Sequence, residues 1–166
     1  MPCLAFPPQF LFFLYLYPTS DQVNLSGYWF AAFNDTNKDI QTWELDHEDF
    51  DILLVYIHGG GFMVGQALMY SAWMDSLVNS NLRIRIYTME YELPSKSKPE
   101  TQYPCQHELL YKVYTTLLAV GISHNKIVIG GDSSGGFNTL KCFEEIIQNG
   151  TPIPGGIMLN SPLLDL

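Results

Sequence analysis

Positive charge is scarce in this 166-residue chain: eight Lys and Arg stand against 17 Asp and Glu, a net charge of −9. Nothing here neutralises a phosphate backbone, so a nucleic-acid partner is excluded. Charge of either sign is sparse, at 15% against 47% hydrophobic residues. That balance excludes a disordered chain and leaves enough apolar side chains for a core. Cysteine is rare as well. Cys3, Cys105 and Cys142 fit neither a disulfide framework nor a metal spacing, so they read as ordinary thiols, and neither a metal nor a cofactor is expected. No internal repeat occurs. Long apolar runs are lacking too. Phe10 to Tyr17 is solidly apolar but bracketed by Pro7, Pro8 and Pro18, well short of the roughly 20 residues a bilayer span needs. No basic residue precedes it, which counts against a signal peptide. Histidine is limited to His47, His58, His107 and His124, and none follows Ser133.

What is present alternates strands with helices. Tyr28 to Phe33 is predicted as an early edge strand, and Asp51 to Ile57 as a buried one. Tyr70 to Val78 reads as a helix. Arg83 to Tyr87 alternates polar and apolar residues, as a strand with one covered face would. Ser95 to Gln102 is polar and proline-bearing, hence a loop. Glu108 to Ala119 is a helix, Lys126 to Gly130 a short buried strand, and Phe137 to Gln148 a helix with one apolar face. Gly155 to Asn160 is the last strand. The order implies a mostly parallel sheet with helices on its faces.

Two motifs interrupt this pattern at strand ends. Gly131-Asp132-Ser133-Ser134-Gly135 fits G-x-S-x-G between a strand and a helix, the context in which a sharp turn lifts a serine hydroxyl above the sheet. The helix N-terminus beneath it favours developing negative charge. His58-Gly59-Gly60-Gly61-Phe62 follows the earlier strand. Its glycines let backbone N–H groups turn toward one point without side chains in the way. Ser133 is therefore the candidate nucleophile, with the N–H groups of Gly60, Gly61 and Ser134 as candidate oxyanion donors. Each motif alone has a plainer reading, as a tight turn, a phosphate cradle or a flexible loop. A phosphate cradle would want a lysine just after its glycines, where Phe137 and Asn138 stand.

Together the motifs resemble those of the hormone-sensitive-lipase-like, or GDXG, branch of the α/β-hydrolase fold, and most closely the fungal steryl acetyl hydrolases. Tyr91-Glu92-Leu93-Pro94, Tyr103-Pro104 and Ser161 to Leu166 resemble further family segments. The resemblance covers roughly Gly27 to Leu166. It implies residues 27–166 as a partial α/β-hydrolase domain lacking its last strands, and residues 1–26 as an apolar N-terminal segment. It implies a serine ester hydrolase acting on small apolar esters, such as acetylated sterols, without cofactor. His58 would order the oxyanion loop. Ser134 stands where the family usually has alanine, a mild change if only its N–H is used. The family carries its catalytic acid and histidine further on, so the chain reads as truncated. Its alternative reading is an inactive remnant or a binder of apolar ligands.

Of the histidines before Ser133, only His58 is placed to serve even as a makeshift base, and its main reading is to order the loop. His47 and His124 precede their strands and lie at the far end of the sheet. His107 reads as a surface or cap residue, and only His58 lies at the correct edge. Asp132 reads as a turn-stabilising residue, and Asp165 comes one strand too early for the acid. Fungal members of this kind often carry a membrane anchor, which leaves room for association with the endoplasmic-reticulum membrane. Phe10 to Tyr17 is either a remnant of that region or, the favoured reading, a segment covering the active-site mouth. Asn24-Leu25-Ser26, Asn34-Asp35-Thr36 and Asn149-Gly150-Thr151 fit the glycosylation pattern, with chance as the default.

Overall fold

Apolar runs at residues 52–57, 84–89 and 127–132 become strands of one sheet because both of its faces are covered. The computed structural model describes residues 12–16, 25–31 and 50–164. Its strands are β1 (Phe12–Leu16), β2 (Leu25–Phe30), β3 (Ile52–Ile57), β4 (Ile84–Met89), β5 (Ile127–Asp132) and β6 (Gly156–Asn160). Three helices interleave with them: α1 (Ser71–Val78), α2 (Cys105–Ala119) and α3 (Ser133–Gln148). The sheet order is β1-β2-β4-β3-β5-β6. β4, β3, β5 and β6 run parallel, while β2 pairs antiparallel with both β1 and β4.

Period-two alternation sorts the central strands between two cores. Leu53, Val55 and Ile57 of β3, with Ile127 and Ile129 of β5, pack with Leu110, Val113 and Leu117 of α2 and with Cys142 and Ile146 of α3. Leu54 and Tyr56, with Ile86 of β4, face the other way, onto Met74 and Val78 of α1. This is the mostly parallel sheet with helices on both faces that the alternation implies.

Several boundaries differ from the sequence reading, each for a physical reason. The early strand is not an edge. β2 is shifted to residues 25–30 and is paired on both sides. β1, which falls within the apolar N-terminal run, is its outer partner, three strands from β3. Residues 12–16 therefore form a strand rather than a cover over the site. The Arg83–Tyr87 alternation misleads, because β4 is interior and Arg85 is 2% exposed, its guanidinium 5.1 Å from the centre of the Phe50 ring. A long side chain can lie along apolar surface in this way. The last long helix starts at Ser133, not Phe137, because its glycines belong to its first turn. Among the described residues no helix is long and apolar enough to cross a membrane.

Candidate active site

β5 runs directly into α3, and the junction residue is Ser133, with φ +48°. That left-handed conformation is costly for a residue with a side chain. The neighbouring glycines make it sterically feasible. A Cβ on Gly131 would lie 2.5 Å from the carbonyl carbon of Gly135, and one on Gly135 would lie 2.2 Å from the carbonyl oxygen of Ile57 in β3. The turn leaves Ser133 exposed while residues 134–139 are buried. The segment after β6 braces it: Leu163 N–H donates to the Ser133 carbonyl at 2.9 Å.

The glycine loop begins where β3 ends. His58 is fully buried, its ring stacked on Tyr91 with centroids 4.3 Å apart. Its Nδ1 lies 2.7 Å from the Gly59 carbonyl, and the Tyr91 hydroxyl donates to the His58 carbonyl at 2.9 Å. Burial pushes the Tyr91 phenol well above its ordinary value. His58 Nε2 faces Glu90 Oε1 at 4.0 Å, and Glu90 Oε2 accepts from Ala67 N–H at 3.0 Å. Gly60, Gly61 and Phe62 all have positive φ, at 120°, 61° and 62°. Gly60 is irreplaceable on steric grounds, since a Cβ there would lie 1.8 Å from the Val64 carbonyl oxygen.

The two motifs touch at two points. Gly61 N–H donates to Ser134 Oγ at 3.0 Å. Gly59 N–H donates to Asp132 Oδ1 at 2.9 Å. Asp132 sits at the start of α3, but its carboxylate does not cap that helix. It crosses instead to β3 and to the turn before α1, accepting from the Tyr56 hydroxyl at 2.8 Å and the Tyr70 hydroxyl at 2.7 Å. The bond to Asp132 and partial burial push the Tyr70 phenol up to about 12. Burial first, then Asp132, raises the Tyr56 phenol further.

Sequence reasoning missed Tyr56, Tyr70 and Glu90, and singled out Tyr91 only within a family-like segment, without its stacking on His58. Tyr70 lies 62 positions from Asp132, and nothing local marks such a pair. The structure brings Gly61 and Ser134 together, with Gly60 in the same turn and His58 beneath it. His107 lies in the first turns of α2, half-buried against Tyr103, where burial lowers its pKa. His124 precedes β5, its Nδ1 2.6 Å from the Ile153 carbonyl. His47 and Asp165 lie outside the described residues. Among the described residues no histidine hydrogen-bonds the Ser133 hydroxyl, and no cluster of His, Cys, Asp and Glu could hold a metal ion.

Aromatic rings flank the elbow. Phe62 meets Phe137 edge-on at 6.3 Å, and Tyr103 lies 5.9 Å from Phe137. Met63 and Val64, next along the glycine loop, are 80% and 63% exposed.

Comparison with known proteins gives the family. A family model described as the alpha/beta hydrolase fold matches residues 54–166. An esterase of Acinetobacter venetianus is 34% identical over 114 residues, which is 69% of this chain and 36% of that protein. An acetyl-hydrolase of Streptomyces hygroscopicus is 26% identical over 113 residues, 68% of this chain and 36% of that one. The crystal structure of an esterase from the bacterial hormone-sensitive lipase family superimposes with a TM-score of 0.68 at 25% identity, covering 85% of this chain and 41% of that one. The chain thus spans just over a third of the length of these curated relatives.

Proposed function

This chain belongs to the alpha/beta hydrolase family, and from that premise we propose that it houses the nucleophile and oxyanion donors of a carboxylic ester hydrolase. The observation that carries the reading is the meeting of the two motifs. An exposed serine at φ +48° heads α3, and the loop that holds Gly60 and Gly61 is bonded to the next residue, Ser134. Ser133 attacks the ester carbonyl, and the N–H groups of Gly60, Gly61 and Ser134 take up the charge on its oxygen. Each such donor is worth roughly 3–4 kcal/mol of barrier. His58 and Asp132 position the loop and do not touch the substrate.

A serine hydroxyl is a weak nucleophile without an adjacent base. The base is proposed to come from outside the described residues, from a C-terminal portion of the kind carried by longer relatives. The substrate is proposed to be a small acyl ester of an apolar alcohol, with an acetylated sterol as the sharpest case. Phe62, Phe137 and Tyr103 cluster beside the strand-to-helix turn, and Met63 and Val64 are exposed apolar side chains on the adjoining loop. A relative named an acetyl-hydrolase fits the short acyl group.

The test is hydrolysis of a p-nitrophenyl ester series by three proteins: the chain, the chain fused to the C-terminal half of a relative, and that fusion with Ser133→Ala. The fusion is expected to turn over acetate readily and its Ser133→Ala variant to fall by several orders of magnitude. The unfused chain is expected to differ little from its own Ser133→Ala variant. Activity in the fusion that survives Ser133→Ala would remove Ser133 as nucleophile.

A further inference from the structure

Ser134 does more than lend its backbone. Its side chain is fully buried, and its Oγ accepts the Gly61 N–H at 3.0 Å. Gly61 is itself exposed, at φ +61° on the rim of the loop. One of the proposed oxyanion donors is therefore already occupied by a neutral acceptor in the resting molecule. We propose that the Ser134 hydroxyl is a positioning residue that gates the hole. It keeps Gly61 N–H engaged until negative charge develops above Ser133, then rotates aside and yields that donor to the tetrahedral species. The proposal rests on the reading of Ser133 as nucleophile.

The physical argument is a competition between acceptors for one donor. A serine hydroxyl has one hydrogen and two lone pairs, so it can accept from Gly61 without surrendering its own proton. A neutral ester carbonyl is an acceptor of comparable strength and gains little by displacing it. Hydrogen bonds to an ionised oxygen are roughly twice as strong as neutral ones, so displacement becomes favourable only as the carbonyl oxygen turns anionic. An interaction withheld from the ground state and granted to the transition state is the kind that accelerates a reaction. The gate forms and breaks no covalent bond, because rotation about the Ser134 side chain suffices. Its effect on ligand choice is to disfavour trigonal carbonyl compounds that would otherwise rest in the hole.

The experiment follows the Gly61 amide by NMR in the chain fused to the C-terminal half of a relative, taken as the parent, and in its Ser134→Ala and Ser134→Cys variants. In the free protein, Ser134→Ala is expected to shift that proton upfield and to speed its exchange about fivefold, the change expected for loss of one net hydrogen bond. Ser134→Cys, of similar size but a weaker acceptor, should fall between. Two probes are then added: a short alkylboronic acid, which closes on a serine hydroxyl as a tetrahedral anion, and a methyl ketone of similar size. In the parent the boronate should move the Gly61 resonance downfield and the ketone should leave it in place. In Ser134→Ala both should move it. A free-protein Gly61 amide indifferent to Ser134→Ala overturns the proposal. So does a boronate that leaves Gly61 unmoved, or a ketone that shifts the parent as much as the variant. Boronate binding that persists in Ser133→Ala instead counts against the nucleophile reading, while the free-protein comparison still decides the gate.

Discussion

At the scale of single residues, the site divides into groups that local sequence reveals and groups that it hides. The placement of His58, the glycines and Ser133 at two strand ends was legible because it depends on immediate neighbours, a strand before and a turn or helix after. Tyr70, Glu90 and the stacking of Tyr91 on His58 were not, because they arise from contacts across the sheet end. Ser134 was half legible. Its N–H followed from its place after Ser133, but its hydroxyl acquires a partner only when the glycine loop folds over α3. Tyr70 offers a test of the hidden group. Its hydroxyl donates to Asp132 at 2.7 Å, and its phenol is pushed up from 10.0 to about 12. A folded-state pKa above the unfolded one means that the bond's stabilisation is fully present below pH 10 and is lost as pH rises through about 12. Ultraviolet titration of tyrosinate should therefore lose a transition near pH 12 in Tyr70→Phe. Loss of a transition near pH 10 would place Tyr70 free in solvent and remove it from the network.

At the scale of elements, the alternation of strands and helices was readable and the ends were not. Glycine at residues 135 and 136 reads as turn from sequence, yet both lie in the first turn of α3. Their missing side chains set how closely that helix approaches β3 and the segment after β6. A Cβ on Gly136 would lie 2.8 Å from Pro162 Cβ, and one on Gly135 would lie 2.2 Å from a β3 backbone oxygen that cannot yield. The alternation in β4 pointed to one covered face, because the pattern does not reveal that a buried arginine can stack over Phe50. Gly135→Ala is expected to destabilise the fold by about 1–3 kcal/mol through overpacking, despite the gain in helix propensity. Urea melts of the two proteins measure this. An equal or higher midpoint for the variant would show that α3 can shift outward without cost.

At the scale of the whole molecule, β6 is paired on one side only among the described strands, by β5. Ile157 and Leu159 on it are 38% and 36% exposed, and Ile153 and Leu164 nearby are exposed as well. An apolar edge with free backbone groups invites pairing with another chain. The 166-residue chain is expected to self-associate as its concentration rises, and fusion to the C-terminal half of a relative should suppress this. Sedimentation showing a monomer across the concentration range would sink the expectation. The bond between Gly59 and Asp132 has a consequence of another kind. It joins positions 73 apart in the chain, so the ends of a long loop must meet before it can form. Closing such loops carries an entropy cost that local helices and neighbouring turns avoid, and chains rich in distant pairings fold slowly. The junction of the two motifs should therefore be the last thing to come into existence as the chain folds. Asp132→Asn would then leave the folding rate nearly unchanged and hasten unfolding, as substitutions outside the nucleus do. A slower folding arm in denaturant-jump kinetics would mean instead that the two motifs find each other early, and that the site itself directs the assembly of the sheet beneath it.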